Sequence, residues 1–167
     1  MAVMSKHNEA CKGEYKRKFL VVIDETDECD RAVTFAAYRV LRTGGTVALL
    51  SIIGNEQFQH WLGVENILRA EAIEKAEELL EERARRIAEI GDIKVEKHVR
   101  EGRKAEEIEA LINEDKDIAI LVLAAGTSSD GPGPLVSAFA GRGANALPIP
   151  VTIIPGGVSD EHIIALC

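Results

Sequence analysis

The residues best suited to chemistry lie between Gly126 and Ser137, where the sequence reads GTSSDGPGPLVS. Glycine, serine, threonine, aspartate and proline follow an unbroken apolar run, Ile118 to Ala125. A glycine-rich turn at the carboxyl end of a buried strand leaves backbone N–H groups free to cradle an anion such as phosphate. Ser128, Ser129 and Ser137 add hydroxyls around such a site, although serine and glycine are also ordinary turn residues. Asp24 and Thr26 follow a second apolar run and form the other candidate pair. Asp24 is suited to accept from a ribose or base donor, or to cap or brace the turn it starts.

Other chemistries find less support. Phosphoryl transfer relies on a cation at the phosphates, normally with Mg²⁺. The stretch from Gly126 to Ser137 has neither Lys nor Arg, Asp130 is its one acid, and Arg142 is the nearest cation in sequence. No Ser-His-Asp or Cys-His arrangement is supported by local spacing. Cys11, Cys29 and Cys167, and His7, His60, His98 and His162, are scattered and match no metal-ligand spacing. Cys29 falls in the first turn of a helix, where the dipole lowers a thiol pKa, but a small buried residue is the plainer reading. Four Phe, two Tyr and one Trp leave few aromatics for a flavin sandwich.

The elements that position these residues follow from periodicity. Phe19 to Ile23 and Thr46 to Ile53 are apolar runs fit for strands buried on both faces. Between them, Glu25, Thr26 and Asp27 are N-cap candidates for a helix over Glu28 to Arg42, with Val33, Ala36, Ala37, Val40 and Leu41 inward and Gly44-Gly45 at its end. This β-helix-β unit implies a right-handed parallel crossover. Val64 to Ile90 reads as one long helix, with Ile67, Ile73, Ala76, Leu80, Ala84 and Ile87 as its stripe. Glu65–Arg69, Glu71–Lys75, Glu81–Arg85 and Glu82–Arg86 are spaced for intrahelical pairs on a solvated face. Ile93 to Val99 alternates as an edge strand does, with His98 on its exposed side. A helix over Lys104 to Glu114 leads into Ile118 to Ala125. Pro134 starts a last, glycine-weakened helix, and Val151 to Ile154 is a fifth strand. Five strands alternating with four helices make a doubly wound, flavodoxin-like three-layer α/β sandwich. Residues 1–17 read as a flexible basic tail, 18–157 as the domain and 158–167 as a peripheral C-terminal tail.

At 167 residues and net charge −8, the chain is long enough for one well-cored domain, and its charge argues against nucleic acid. No apolar run is long enough to span a membrane. The N-terminal stretch lacks the apolar region of a secretory signal, so unpaired cysteines point to a reducing, cytoplasmic setting. Phe58 and Trp61, in the loop Gly54 to Gly63, either tuck onto the domain or offer an apolar patch to a partner.

Several patterns taken in order resemble the universal stress protein family. They are VIDET from Val22 to Thr26, Glu101-Gly102 followed by AEEI at Ala105 to Ile108, AILVLAAG from Ala119 to Gly126, and PIPVTIIP from Pro148 to Pro155. The resemblance covers roughly residues 18–156. It implies a parallel sheet of order 3-2-1-4-5, the adenine nucleotide α-hydrolase-like arrangement. It also implies a homodimer through strand 5 (Val151, Ile153), and an adenine nucleotide (ATP, AMP or a cyclic nucleotide, with Mg²⁺ if ATP) at the strand 1/strand 4 switch point. The implied contacts are Asp24, Thr26, Ile52, Ala125, Gly126, Ser129 and Ser137. Nucleotide-binding members carry Gly-x2-Gly-x9-Gly-Ser/Thr after the fourth strand. Here Gly126 matches the first glycine, Ser129 replaces the second, Ser137-Ala138 stands at the final pair, and the loop is about two residues short. A Cβ at Ser129 stands where close backbone approach favours glycine. The expected function is a non-enzymatic stress-response module that binds an adenine nucleotide. The alternatives are a nucleotide-free protein-interaction scaffold or, with less support, a slow ATPase.

Overall fold

The computed structural model describes residues 16–55, 64–141 and 145–167. Five strands, β1 (Lys18–Val22), β2 (Thr46–Ile53), β3 (Lys94–Glu101), β4 (Ile118–Ala125) and β5 (Val151–Pro155), form one sheet of order β3-β2-β1-β4-β5. All four pairings are parallel. The sheet order implied by the resemblance is the one observed. The basic tail up to residue 15, the loop with Phe58 and Trp61, and Arg142 lie outside the described residues.

Among the described residues there are five helices rather than four: α1 (Cys29–Thr43), α2 (Glu65–Ile90), α3 (Lys104–Glu114), α4 (Pro134–Ala140) and α5 (Asp160–Leu166). The additional helix, α5, occupies the stretch expected to be a peripheral tail. Its Ser159 cap accepts a hydrogen bond from the His162 N–H, and its Ile163 is only 1% exposed.

The sheet separates two cores. On one face, Phe19, Val21, Val47, Leu49, Val122 and Ile154 pack with α1, Leu80 and Ile87 of α2, and Ile163 of α5. On the other, Leu20, Leu50, Leu121 and Leu123 meet Ile108, Leu111 and Ile112 of α3, and Val136 and Phe139 of α4. Alternate strand residues thus bury on opposite faces, as the period of two requires. Each fully buried Val, Leu, Ile or Phe contributes about 1.5–3 kcal/mol, so these two layers hold the cleft walls in place.

Several local expectations need correction. None of Glu25, Thr26 or Asp27 caps α1. Its N-cap residue is Glu28, which makes no side-chain cap bond, because Thr26 is tied to Asp24 instead. Leu41 and Ile67 are exposed (46% and 60%), since both lie at the margin of their apolar stripes. The four intrahelical pairs do not form. The charges of α2 reach across to other elements instead: Arg83 to Asp30 (2.9 Å), Arg86 to Asp30 and Asp160, Arg69 to Glu101 (2.6 Å), Lys75 to Glu25, and Glu81 to Lys97. Carboxylates held on strands and neighbouring helices compete well with i,i+4 partners worth only a few tenths of a kcal/mol. His98 is half-buried rather than exposed, because β3's polar face is covered by α3 and ion pairs. Its Nε2 lies 3.7 Å from Glu96, and Arg100 beside it bridges to Glu107 and Glu114. β3 and β5 form the two edges of the sheet. On β5, Ile154 is buried and Ile153 is 36% exposed.

Candidate functional site

β1 sends its connection towards β2, whereas β4 pairs on the opposite side of β1, so a crevice opens where the two strands end. β1 is prolonged by Ile23, whose N–H donates to Leu50 O, and Asp24 follows at the rim. A cleft of about 690 Å³ lies here, a size usual for small-molecule sites. Val22, Leu123 and Ala124 form its floor; Asp24, Thr26, Glu28 and Cys29 stand on one side and the Gly126 loop with α4 on the other.

The two rim residues of β1 bind each other. Asp24 Oδ1 accepts from the Thr26 N–H (2.9 Å) and from the Thr26 hydroxyl (2.5 Å), a turn braced by its own aspartate. The loop after β4 is likewise closed on itself. The Gly126 N–H donates to Pro132 O (2.9 Å) and the Gly131 N–H to Ser128 O (3.2 Å). A Cβ at Gly126 would stand 3.3 Å from Gly131 O, so this glycine permits the loop to fold back. At Gly131 and Gly133 the space a Cβ would take is open, with φ of +102° and +103°.

Glu28 completes the electrostatics of this wall. Its Oε1 accepts a long bond from the Thr127 N–H (3.4 Å). Its own backbone N–H, then that of Thr127, hold its carboxyl below the usual glutamate range. Behind it, a Cβ at Gly156 would lie 2.4 Å from Ala125 O and 2.6 Å from Glu28 Cγ, so the end of β5 presses directly on this wall. Glu28 also borders a shallower groove of about 410 Å³ with Glu25, Asp27 and Arg31. Cys29 is buried, donates weakly to Val22 O, and has its thiol pKa pushed up by burial. Burial outweighs the helix dipole here, in agreement with the plainer reading of Cys29 as a small buried residue.

Of the residues expected to bind ligand, Asp24, Thr26, Gly126 and Ser137 line the cleft together. Ile52 packs in the core beside α3 and α4, Ala125 uses its carbonyl to accept from the Gly156 N–H (3.0 Å), and Ser128 rather than Ser129 faces the cleft. Two charged residues were missed. Lys104, at the first position of α3, is the one cation among the described lining residues, and Glu28, at the N-cap of α1, lines the same cleft. A residue count along the β4 loop cannot find Lys104. The parallel topology can, because every strand-to-helix junction lies at the same carboxyl edge.

The sequence matches the model of the universal stress protein family over residues 16–155. Among solved structures, universal stress protein UspA from Lactobacillus plantarum superposes with a TM-score of 0.70 at 17% identity, over 85% of this chain and 99% of that one. A universal stress protein from Archaeoglobus fulgidus in complex with dAMP gives 0.61 at 18% identity, over 84% and 98%. Another universal stress protein, in complex with cAMP, gives 0.61 at 15%, over 86% and 100%. At these identities the likeness is one of fold. No curated protein matches the sequence.

Proposed function

The chain belongs to the universal stress protein family, and from that premise we propose that it is a cytoplasmic, dimeric stress-response module that binds an adenine nucleotide without turning it over. The observation that carries the reading is the cleft itself. It is of nucleotide size, lies at the β1/β4 switch point, and is rimmed by Asp24, Thr26, Gly126 and Ser137. Ile52 and Ala125 belong to the same assignment as residues behind the wall, and Ser129 as a residue of the loop tip. Relatives of the same fold hold dAMP and cAMP, which supports an adenylate as the ligand class. The open backbone at Gly131 and Gly133 suits close approach of a ligand.

Binding without turnover fits the charge of the cleft, whose described lining holds a single ammonium beside the carboxylates of Asp24, Glu28 and Asp130. Phosphoryl transfer needs more positive charge than that at the reacting group. Dimerisation is supported by β5, an edge strand whose Ile153 stays exposed and whose free backbone suits pairing with a second copy. Cys29 and Cys167 are free thiols, in keeping with a reducing compartment.

Native mass spectrometry of freshly purified protein, followed by denaturation and analysis of released small molecules, tests this reading. A dimer carrying an adenine nucleotide, or taking one up when it is added, is the expected result. A second reading, a nucleotide-free interaction scaffold, is favoured by the Gly126 N–H already being paired within its loop. A dimer that stays empty in the presence of added nucleotides would decide for the scaffold, and a monomer would remove the β5 interface.

A further inference from the structure

The charge around the cleft is unevenly supplied, and each part of it comes from a different element. Lys104 enters from α3, Glu28 from the start of α1, Asp24 from the end of β1 and Asp130 from the loop after β4. Three of the backbone donors around the cleft are already engaged. Gly126 donates to Pro132 O, Gly131 to Ser128 O, and Thr127 to the Glu28 carboxylate. We infer that Lys104 is the anion contact of this cleft and Glu28 the residue that rejects additional charge, so that the site takes a nucleoside bearing one phosphate group in preference to a triphosphate.

This selection rests on the nucleotide reading above and adds its specificity. One ammonium offsets about half of the charge of a monophosphate, but only about a quarter of that of a triphosphate. A triphosphate brings further charges to a lining that already holds the carboxylates of Asp24, Glu28 and Asp130, where like charges repel at short range. The low carboxyl pKa of Glu28 keeps the repelling charge in place at neutral pH.

Isothermal titration of the full chain with adenosine, AMP and ATP–Mg²⁺ tests the inference, using the wild type, Lys104→Gln, Lys104→Arg and Glu28→Gln. The wild type should bind AMP at least about tenfold more tightly than ATP–Mg²⁺, with AMP affinity falling as salt is raised. Lys104→Gln should weaken AMP about tenfold, the scale of one charge-assisted hydrogen bond, and leave adenosine within about twofold. Lys104→Arg should keep most of the AMP affinity, and Glu28→Gln should favour ATP–Mg²⁺ relative to AMP by about fivefold or more. Wild-type binding of AMP with no preference over ATP–Mg²⁺, or AMP affinity indifferent to Lys104→Gln, overturns the inference and leaves the nucleotide reading intact. Failure of all three probes to bind wild type removes that reading, and this one with it. Lys104 is exposed on the first turn of α3, and melting temperature identifies any variant that fails to fold. The wild-type AMP/ATP ratio and its salt dependence need no variant.

Discussion

Ile163→Ala measures whether α5 belongs to the cooperative fold. Ile163 is buried against the core that also holds Phe19, Val33, Ala36 and Ala37, at 1% exposure. The substitution deletes about three methylene equivalents, or ~2.4 kcal/mol at ~0.8 kcal/mol each. The cavity left under a short helix adds to this, so about 3 kcal/mol is expected within the usual range of about 2–5 kcal/mol. The polar side of the same docking is weaker. Asp160 pairs with Arg31 (2.7 Å) and Arg86 (3.3 Å), but its side chain is 40% exposed and theirs are 31% and 35%. After solvent screening, Asp160→Asn should cost no more than about 1 kcal/mol. Urea denaturation followed by circular dichroism gives both numbers, and a loss of ~3 kcal/mol corresponds to a Tm lower by about 6–12 °C in a chain of this size. An Ile163→Ala loss below about 1 kcal/mol would refute the reasoning. A separate early transition, with the main midpoint unchanged, would do the same, because α5 would then be an appendage rather than part of the core.

Gly156→Ala should destabilise by about 1–3 kcal/mol in the same assay, since its Cβ would have to displace Ala125 O and Glu28 Cγ from 2.4 and 2.6 Å. On the acid side, Glu28, Glu81 and Glu114 all have carboxyls held below the ordinary value, the last two chiefly by hydrogen bonds from Lys97 and Arg100. Their contribution is present above the unfolded glutamate pKa and drains away as pH falls through the lower folded values. Glu114→Gln should therefore flatten the acid limb of a stability–pH curve, and an unchanged limb would contradict this. On the alkaline side, burial keeps the Cys29 thiol protonated in the fold, whereas the unfolded thiol ionises near 9.0. Stability should fall as pH rises past that value, less steeply in Cys29→Ala, and Cys29 should react with a thiol reagent only at the rate of unfolding.

The strands were legible because continuous apolar runs such as Thr46 to Ile53 and Ile118 to Ala125 have one economical use in an α/β chain, and β2 is indeed buried throughout. Helix α5 was not, because seven residues give too few turns for a periodic signal, although Ser159-Asp160-Glu161 is a fair N-terminal signature in hindsight. The ion pairs of α2 were misread for a different reason. Helical spacing tells which residues are neighbours along one element but says nothing of Asp30, Glu101 or Asp160, which arrive from elsewhere. The candidate site was half legible. Asp24, Thr26, Gly126 and Ser137 come from loops next to recognisable strand ends, whereas Lys104 and Glu28 matter only through their placement at the shared carboxyl edge.

The register of β1 has a consequence for how the chain acquires its structure. β1 pairs with β2, its near neighbour in sequence, and with β4, where Leu20 meets Leu121 and Val21 meets Val122 about a hundred residues away. The strand at the middle of the finished sheet is therefore an open edge through the assembly of β1, α1, β2, α2 and β3. Closing so long a loop is entropically slow, and an apolar strand with unpaired N–H and C=O groups is a template for the wrong partner meanwhile. Phe19 to Val22 is thus the segment most exposed to intermolecular capture during refolding, and the arrival of β4 ends that vulnerability as it builds the floor of the cleft.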